Sequence, residues 1–351
     1  MRPPLIPLVC PSPQQNLLQV TGGQRPQSPE GKGKPLDQPQ NRVLPLCLAL
    51  IAATLLAVSV AVLVLVARTL WLLTHMQAFP TAVPYSSDPG FRLLWSDDFA
   101  GTSVDTASWT FENGDGSQYG IPGWGNQELQ VYQQQNAEVA GGVLAIKADV
   151  APGGGYVSAR LASAAGRAFA PGPGETLRIE ARIQLPRGGD GVWPAFWMLP
   201  AKLGNGSLAY GRWPVSGEID IMEAVNDLSV VMGTVHFGNP ERQLGGQLAA
   251  DVASGPFAGA YHVYAVDWSL ESIIWYVDGR EYGTAQNSCL TPGGWYSSAG
   301  PPGACGPPFD QPFRLLLNVA VGGLLPNRAP SKDTAFPQTM LVDYVRVLTS
   351  R

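Results

Sequence analysis

Positively charged residues and metal-binding side chains are scarce in this sequence. Its 351 residues include 22 Lys and Arg against 27 Asp and Glu, together with only three His and four Cys. So few imidazoles and thiols leave little material for a metal cluster. The acidic chain also lacks the basic stripe with which nucleic-acid-binding proteins contact phosphates. We therefore expect no nucleic-acid partner.

The motifs of several large enzyme classes are absent as well. The chain contains no Gly-x-Ser-x-Gly turn, no phosphate-binding Gly-rich loop ending in Lys, and no Cys-x-x-Cys pair. These absences exclude the common signatures of serine hydrolases, nucleotide-binding enzymes and zinc proteins. Because 45% of the residues are hydrophobic and only 14% are charged, the chain is able to bury a sizeable core.

One long segment near the N-terminus has no charge. Residues 43–67 form a run of 25 residues without a charged side chain. At about 1.5 Å per residue, a helix of this length crosses a hydrocarbon layer of about 30 Å, so the run predicts a transmembrane helix. A cleaved signal peptide and a buried core helix stay open as alternatives, although both usually have shorter apolar segments.

The charges around this run predict its orientation. Four basic residues precede it between positions 25 and 42, whereas only Arg68 closely follows it. The positive-inside rule then leaves residues 1–42 in the cytosol, as a disordered tail rich in Pro, Gln and Gly. Residues 68–90 are interpreted as a stalk. The sequence thus predicts a single-pass type II membrane protein whose remaining residues are luminal or extracellular.

Short apolar runs separated by Gly and Pro fill residues 91–351. In the clearest run, from Leu177 to Leu185, apolar residues alternate with charged or amide side chains. This period of two is typical of a strand with one buried and one solvated face. No segment of comparable length has the helical period, so the sequence predicts an all-β antiparallel sandwich or barrel of roughly 260 residues.

Three acids interrupt one apolar, strand-like segment. Glu218 and Asp220 share a face in a simple strand, whereas Glu223 faces the other side unless a β-bulge at Ile221 or Met222 absorbs one residue. Carboxylates on one face repel each other and lose solvation, and both effects destabilise the fold. A strand with a purely structural role gains nothing in return, so the acids indicate a function. An exposed edge strand with solvated acids is the alternative.

Clustered carboxylates suit the cleavage of glycosidic bonds. A retaining glycosidase needs one carboxylate to attack the anomeric carbon and one protonated carboxyl to donate to the leaving oxygen, about 5–5.5 Å apart. A third acid between them favours retention of a proton, because three close carboxyls do not all ionise easily. The segment is therefore a candidate catalytic strand.

Tryptophan is dense around this strand. Trp193, Trp197 and Trp213 precede the acids, and Trp124 lies further upstream. Indole rings pack against the flat C–H faces of sugars, although for each Trp alone core packing is the more frequent role. Trp213, five residues before the first acid, is the strongest candidate to face a ligand.

The segment from Trp213 to Glu223 resembles the active-site strand of glycoside hydrolase family sixteen, in the bulged form of the laminarinases, which are endo-1,3-β-glucanases. Other stretches resemble family signatures in the family's order, namely residues 123–132, 193–200, 233–238, 261–268, 312–323 and 342–347. The resemblance covers residues 91–351, which are therefore interpreted as the catalytic domain. It implies an antiparallel β-jelly-roll sandwich with a concave glucan cleft.

The resemblance also implies roles for individual residues. Glu218 resembles the nucleophile, Glu223 the acid/base, and Asp220 the assisting acid between them. Eight residues resemble substrate-binding positions, namely Trp213, Trp124, Asn126, Glu128, Arg160, Trp193, Trp197 and His236. For His236 a buried structural role, and for Arg160 a surface ion pair, stay open as alternatives.

The chain departs from the family pattern in three places. Ala159 stands where these enzymes often have Gly, Asp267 stands where many have Glu, and residues 288–308 resemble an insertion at one end of the cleft. The resemblance implies no required cofactor. Asp343 resembles a position that often helps to hold a structural Ca²⁺.

Two features follow from the predicted luminal or extracellular location. Asn205 lies in the only Asn-x-Ser/Thr acceptor sequence, so we expect it to be glycosylated in a eukaryotic host. Cys10 and Cys47 fall in the predicted tail and membrane span, which leaves Cys289 and Cys305 to form a disulfide.

The sequence favours a membrane-anchored, retaining endo-β-glucanase that hydrolyses 1,3-β-glucan or mixed-linkage glucan. A transglycosylase of cell-wall glucan assembly is one alternative, since it resolves the same intermediate with a sugar hydroxyl. A catalytically inactive glucan-binding receptor is another, although such relatives typically lose acids that are all present here.

Overall fold

The computed structural model describes residues 90–238, 243–249 and 256–351, together with Ser59 and Val62. The chain divides into two units, Met1–Thr74 and His75–Arg351. The predicted tail and membrane span, and the stalk except for its last residue, lie outside the described residues apart from Ser59 and Val62. Within the described part of the chain, no helix has the length and apolar character needed to span a membrane.

The described residues form eighteen β-strands and three short 3-10 turns, at Ser117–Tyr119, Pro122–Gly125 and Gln134–Asn136. In chain order the strands are β1 (Phe91–Asp97), β2 (Trp109–Phe111), β3 (Gln130–Tyr132), β4 (Ala137–Ala140), β5 (Val143–Val150), β6 (Tyr156–Ser158), β7 (Arg160–Ser163), β8 (Ala168–Phe169), β9 (Leu177–Gln184), β10 (Val192–Pro200), β11 (Glu218–Ala224), β12 (Val230–His236), β13 (Gln243–Ala249), β14 (Tyr261–Trp268), β15 (Ser272–Val277), β16 (Arg280–Gln286), β17 (Phe313–Val321) and β18 (Gln338–Ser350).

The strands make two sheets. One has the order β16-β15-β14-β9-β18-β5-β6-β3, with β1 added to β18 and β4 to β5. The other has the order β13-β12-β11-β10-β17-β7-β2, with β8 added to β17. These strand pairs are antiparallel except for β3 with β6. The predicted all-β antiparallel sandwich is confirmed.

The core lies between the two sheets and follows the two-residue period of the strands. In β9 every second residue, from Leu177 to Ile183, is buried, and the intervening residues are half-buried. Four tryptophans are fully buried in the core, namely Trp109, Trp268, Trp275 and Trp295. Burial of each such large side chain stabilises the sandwich by about 1.5–3 kcal/mol.

One glycine permits a close contact that matters for the site. Gly233 in β12 faces the core, where a Cβ atom would overlap the indole of Trp275 from β15. The missing side chain therefore lets the Trp275 ring approach β11 and β12 from the opposite sheet.

A disulfide joins Cys289 to Cys305 and closes the loop that resembles an insertion. Within this loop Trp295 is fully buried, and Ser297 donates a hydrogen bond from Oγ to the Val215 carbonyl at 2.9 Å. Because Val215 precedes the catalytic-strand candidate β11 by only a few residues, the loop supports the segment that leads into the site.

Two of the sequence departures form ordinary structural contacts. Asp267 accepts a bidentate pair of hydrogen bonds from Arg178, at 2.7 and 2.8 Å, between neighbouring strands β14 and β9. Ala159 is fully buried between β6 and β7.

The surroundings of Asp343 do not fit a calcium site. The Asp343 carboxylate is 4% exposed and accepts a hydrogen bond from Arg182 Nη1 at 2.8 Å. Calcium takes about six to eight oxygen ligands. At Asp343 a guanidinium group already supplies the positive charge.

Candidate active site

Strand β11 carries the three acids and contains a bulge. Against β10 its register shifts by one residue between Asp220 and Met222, so Ile221 has no partner there. Against β12 the register shifts between Asp220 and Glu223. The extra residue lies where the sequence requires a bulge if Glu223 is to share a face with Glu218.

The partners of the acids on β12 show that all three lie on one face. Glu218 pairs with His236, Asp220 with Thr234 and Glu223 with Met232. These partners are alternate residues of one strand, which share a face. We call this side of the second sheet the acid face.

The bulge frees two backbone carbonyls, and side chains of the first sheet bind both. Trp275 in β15 donates from Nε1 to the Asp220 carbonyl at 2.8 Å, and the Tyr282 hydroxyl in β16 donates to the Ile221 carbonyl at 3.3 Å. A buried carbonyl without a partner costs about 1–3 kcal/mol. Sequence reasoning missed these two residues because they belong to strands far from β11 in the chain.

Replacement of Trp275 by Phe should lower turnover more than it lowers binding. The Asp220 carbonyl then loses its donor, and a displacement of about 1 Å in the bulge is enough to cost about 100-fold in rate. The steady-state kcat and KM, together with the pH profile of kcat, measure this effect. Trp268→Phe is a matched control, because Trp268 is equally buried and donates to the Phe309 carbonyl at 3.0 Å.

Equal losses of kcat in both tryptophan variants, with an unchanged pH profile, would show that the Trp275 hydrogen bond is only structural. A second pair of variants removes only a hydroxyl group and so disturbs the fold less. Tyr282→Phe removes the donor to Ile221, whereas Tyr264→Phe removes a buried hydroxyl that has no hydrogen-bond partner. Only the first of these should shift the pH profile.

Two indole groups orient the outer acids. Trp213 donates from Nε1 to Glu218 Oε2 at 2.7 Å, and Trp193 donates from Nε1 to Glu223 Oε1 at 2.9 Å. Each of these bonds fixes one carboxyl oxygen, and a hydrogen bond also links Glu218 to Asp220. Trp193 is only 8% exposed, and its indole contacts Glu223 directly.

The middle acid is buried beside a histidine. Asp220 is 1% exposed, and its Oδ2 lies 3.2 Å from His236 Nε2 without the alignment of a hydrogen bond. Oxygens of Glu218 and Asp220 and a ring nitrogen of His236 lie within 4.8 Å of one another. His236 is thus placed to contact the acid cluster.

Burial raises the pKa of all three acids above their ordinary values. The Asp220 charge further raises the pKa of Glu218, and the Glu223 charge further raises the pKa of Asp220. Hydrogen bonds from Trp213 and Trp193 partly oppose this effect on the pKa of Glu218 and of Glu223. The cluster therefore keeps a proton at higher pH than isolated carboxyls do.

Replacement of Asp220 by Asn should stabilise the fold at neutral pH while it slows turnover. The folded-state pKa of Asp220 is raised above 3.8, so ionisation costs stability as the pH rises from the unfolded pKa through the folded pKa. Asn does not ionise and escapes this loss. Thermal unfolding of both proteins at pH about 4 and about 8 measures the difference. A gain in Tm that is equal at both pH values, or absent at the higher one, would contradict this explanation.

The predicted cleft residue Arg160 is a buried ion-pair partner. It is 6% exposed, and its guanidinium carbon lies 4.4 Å from the Trp124 ring centroid and 4.7 Å from that of Trp197. Its Nε donates to Glu112 Oε2 at 2.7 Å. Burial opposes ionisation of Glu112, yet Arg160 and Arg314 hold its pKa below the ordinary value. Sequence reasoning missed Glu112, and Arg160 is placed to position the two indoles.

Glu128 is the centre of a second polar network. Its Oε1 accepts a hydrogen bond from Asn126 Nδ2 at 3.3 Å, and its Oε2 accepts hydrogen bonds from Gln130 Nε2 at 2.7 Å and the Tyr132 hydroxyl at 3.1 Å. The Glu128 charge also contributes to the raised pKa of Glu223. The Glu128 carboxylate is therefore close enough to affect the pKa of Glu223, and Asn126 is hydrogen-bonded to Glu128.

The same network extends to Trp197. Asn318 donates from Nδ2 to the Tyr132 hydroxyl at 3.0 Å and accepts a hydrogen bond from Trp197 Nε1 at 2.7 Å. Tyr132 and Asn318 lie in stretches that resemble family signatures, which was the one sequence signal for them.

The four candidate tryptophans differ in exposure. Trp213 is 49% exposed, whereas Trp124 is 6% exposed and stacks near Tyr119, with ring centroids 5.3 Å apart. Trp213 thus presents a free ring face beside Glu218, as a sugar platform requires.

Asn205 is exposed, and its Oδ1 accepts hydrogen bonds from the backbone and hydroxyl of Ser207.

The chain is similar to known glycoside hydrolases. Residues 126–303 match the model of glycosyl hydrolases family 16. A beta-glucanase of Rhodothermus marinus is 40% identical over 268 residues, which cover 74% of this chain and 85% of that protein. The chain belongs to glycosyl hydrolases family 16. It is a glycoside hydrolase.

Two further relatives show how much of each chain is similar. A glucan endo-1,3-beta-glucosidase A1 of Niallia circulans is 40% identical over 276 residues, which cover 74% of this chain but only 38% of that longer protein. The solved structure of an endo-beta-1,3-glucanase from Pyrococcus furiosus is 36% identical with a TM-score of 0.64, covering 75% of this chain and 97% of that one.

Proposed function

We propose that this family 16 enzyme is a retaining endo-β-glucanase that hydrolyses 1,3-β-glucan, with mixed-linkage glucan as a second substrate. The observation that carries the proposal is the bulge of β11, which puts Glu218, Asp220 and Glu223 on one face. The names of the Niallia circulans and Pyrococcus furiosus relatives support the 1,3 linkage.

In this proposal the two outer acids divide the chemistry. The ionised Glu218 carboxylate attacks the anomeric carbon while Glu223 gives its proton to the glycosidic oxygen, so a glycosyl ester forms and the leaving sugar departs. Glu223 then takes a proton from water, which attacks the same carbon and releases Glu218. The Trp213 and Trp193 N–H groups hold the two carboxyls in place, and burial together with the Glu128 charge raises the pKa of Glu223, which favours its protonated state.

Product analysis tests the proposal against its alternatives. The full chain is incubated with laminari-oligosaccharides labelled at the reducing end. Labelled products shorter than the substrate support hydrolysis. Products longer than the substrate would instead show transglycosylation, and tight binding without any product would show a glucan-binding receptor.

We further propose that residues 43–67 anchor this enzyme as a type II membrane protein, with the catalytic domain luminal or extracellular and no required cofactor. The uncharged run and its flanking basic residues support this orientation. In sealed microsomes a C-terminal tag should resist protease until detergent is added, and Asn205 should carry a glycan. Digestion of the tag without detergent would contradict the orientation.

A further inference from the structure

A cavity of about 470 Å³ lies next to Glu223 and has no part in the chemistry above. Met232, which lines it, is the cross-strand partner of Glu223 in β12, and directly opposed side chains lie about 4.5–5.5 Å apart. Val225, two residues after Glu223, lines it as well. The cavity therefore borders the acid face at Met232.

The cavity opens beside the path of a bound glucan and meets it at Met232. The scissile bond must lie between Glu218 and Glu223, which follow each other along β11, so the glucan chain crosses the strands. A row of cross-strand partners, Met232, Glu223, Ala195, Asn318 and Arg160, marks this crossing direction. Apart from Val230 and Met232 of β12, its lining comes from three segments, which precede β10, connect β11 to β12 and follow β17. All three segments lie at the same end of their strands.

Its lining combines apolar and polar groups in the manner of a sugar site. Val225, Val230 and Met232 provide apolar surface. The polar lining is Asp190, Asp227, Ser229, Asn226 and Arg328. Sites of about 300–1,000 Å³ with apolar surface and a few fixed polar groups are typical of small-ligand pockets.

Asn226 holds the walls in place. Its Oδ1 accepts a hydrogen bond from Gly191 N at 2.9 Å, its carbonyl accepts one from Gly189 N at 2.7 Å, and its Nδ2 donates to the Pro326 carbonyl at 3.3 Å. Asn226 thereby joins all three lining segments. The cavity is formed before any ligand enters, which lowers the entropic cost of binding.

The charges favour a neutral ligand. Arg328 Nη1 donates to Asp190 Oδ1 at 2.9 Å, and Ser229 donates from N and Oγ to Asp227 Oδ1 at 3.1 and 2.7 Å. These hydrogen bonds lower the pKa of both carboxyls, so both are charged at neutral pH. Two carboxylates against one guanidinium leave a negative surplus, which repels sulfated or carboxylated sugars.

We propose that this cavity is a branch pocket, which takes a neutral glucosyl side branch of 1,3-β-glucan while the main chain crosses the acids. The inference rests on the proposed function and names its substrate class more closely. Sugar hydroxyls donate to Asp190 and Asp227 and accept from Arg328, and the C–H face of the branch packs against Met232.

The test compares two polymers with the full chain. Values of kcat/KM are measured on linear 1,3-β-glucan and on 1,3-β-glucan with single 1,6-linked glucosyl branches. Arg328→Ala, which removes a charged donor, should lower the branched-to-linear ratio about tenfold. Val230→Trp, which fills the cavity, should lower the same ratio. Two exposed positions of the first sheet provide matched controls, Arg92→Ala and Val150→Trp, which should leave the ratio unchanged.

Each result decides the proposal. A ratio that stays constant in both pocket variants overturns the branch pocket, and so does an equal loss on both polymers. If the wild-type chain cleaves neither polymer, the proposed function fails instead. Calorimetric titration of the same variants with a branched and a linear oligosaccharide then tests the pocket by itself. The branch pocket predicts that the wild type binds the branched oligosaccharide more tightly. Arg328→Ala should abolish this difference in affinity.

Discussion

Replacement of Glu218 by Gln should lower the turnover of 1,3-β-glucan by several orders of magnitude and leave glucan binding largely intact. Gln keeps the shape of the side chain and accepts the Trp213 N–H through its carbonyl oxygen, but it does not form the glycosyl ester. Steady-state kcat and the calorimetric affinity for a laminari-oligosaccharide measure the two effects separately.

Glu138→Gln is a matched control for this variant. Glu138 is exposed in β4 of the first sheet, so the same substitution there should leave both kcat and affinity unchanged. A Glu218→Gln enzyme that turns over glucan within a few-fold of the wild type would show that another group attacks the anomeric carbon.

Replacement of Glu223 by Ala should have a different signature, because the acid/base matters most for a poor leaving group. Glucan hydrolysis should fall by several orders of magnitude, whereas formation of the glycosyl ester from an activated aryl glycoside should fall far less. Azide needs no general base, so it should restore turnover and yield a β-linked glycosyl azide. The rates with and without azide, and the configuration of the product, are the measurements.

An α-configured azide product would exclude the double displacement, and with it the role of Glu218. Failure of azide to raise the rate on the aryl glycoside would remove Glu223 from the role of base. The two variants together thus assign each outer acid independently, since any azide product of Glu218→Gln would arise by one direct displacement and would be α-linked.

The strand pattern of this protein could be predicted because it depends on neighbouring residues. The alternation that begins at Leu177 sets which residues of β9 are buried, and the spacing of the acids requires a bulge if Glu223 is to join Glu218. Both conclusions need only the two-residue period of a strand. The pairing of Cys289 with Cys305 likewise required only the predicted location of the other two cysteines.

The tertiary structure decided how the site is held. Trp275 and Tyr282 reach the bulge from the opposite sheet, and Arg160 lies between Trp124 and Trp197 with Glu112 as its partner. No period or spacing in the chain encodes such contacts, because they join residues from strands that become neighbours only when the sheets form and pack. The branch pocket is a stronger case of the same kind, since three separate stretches of the chain build it and none of its lining residues belongs to a motif.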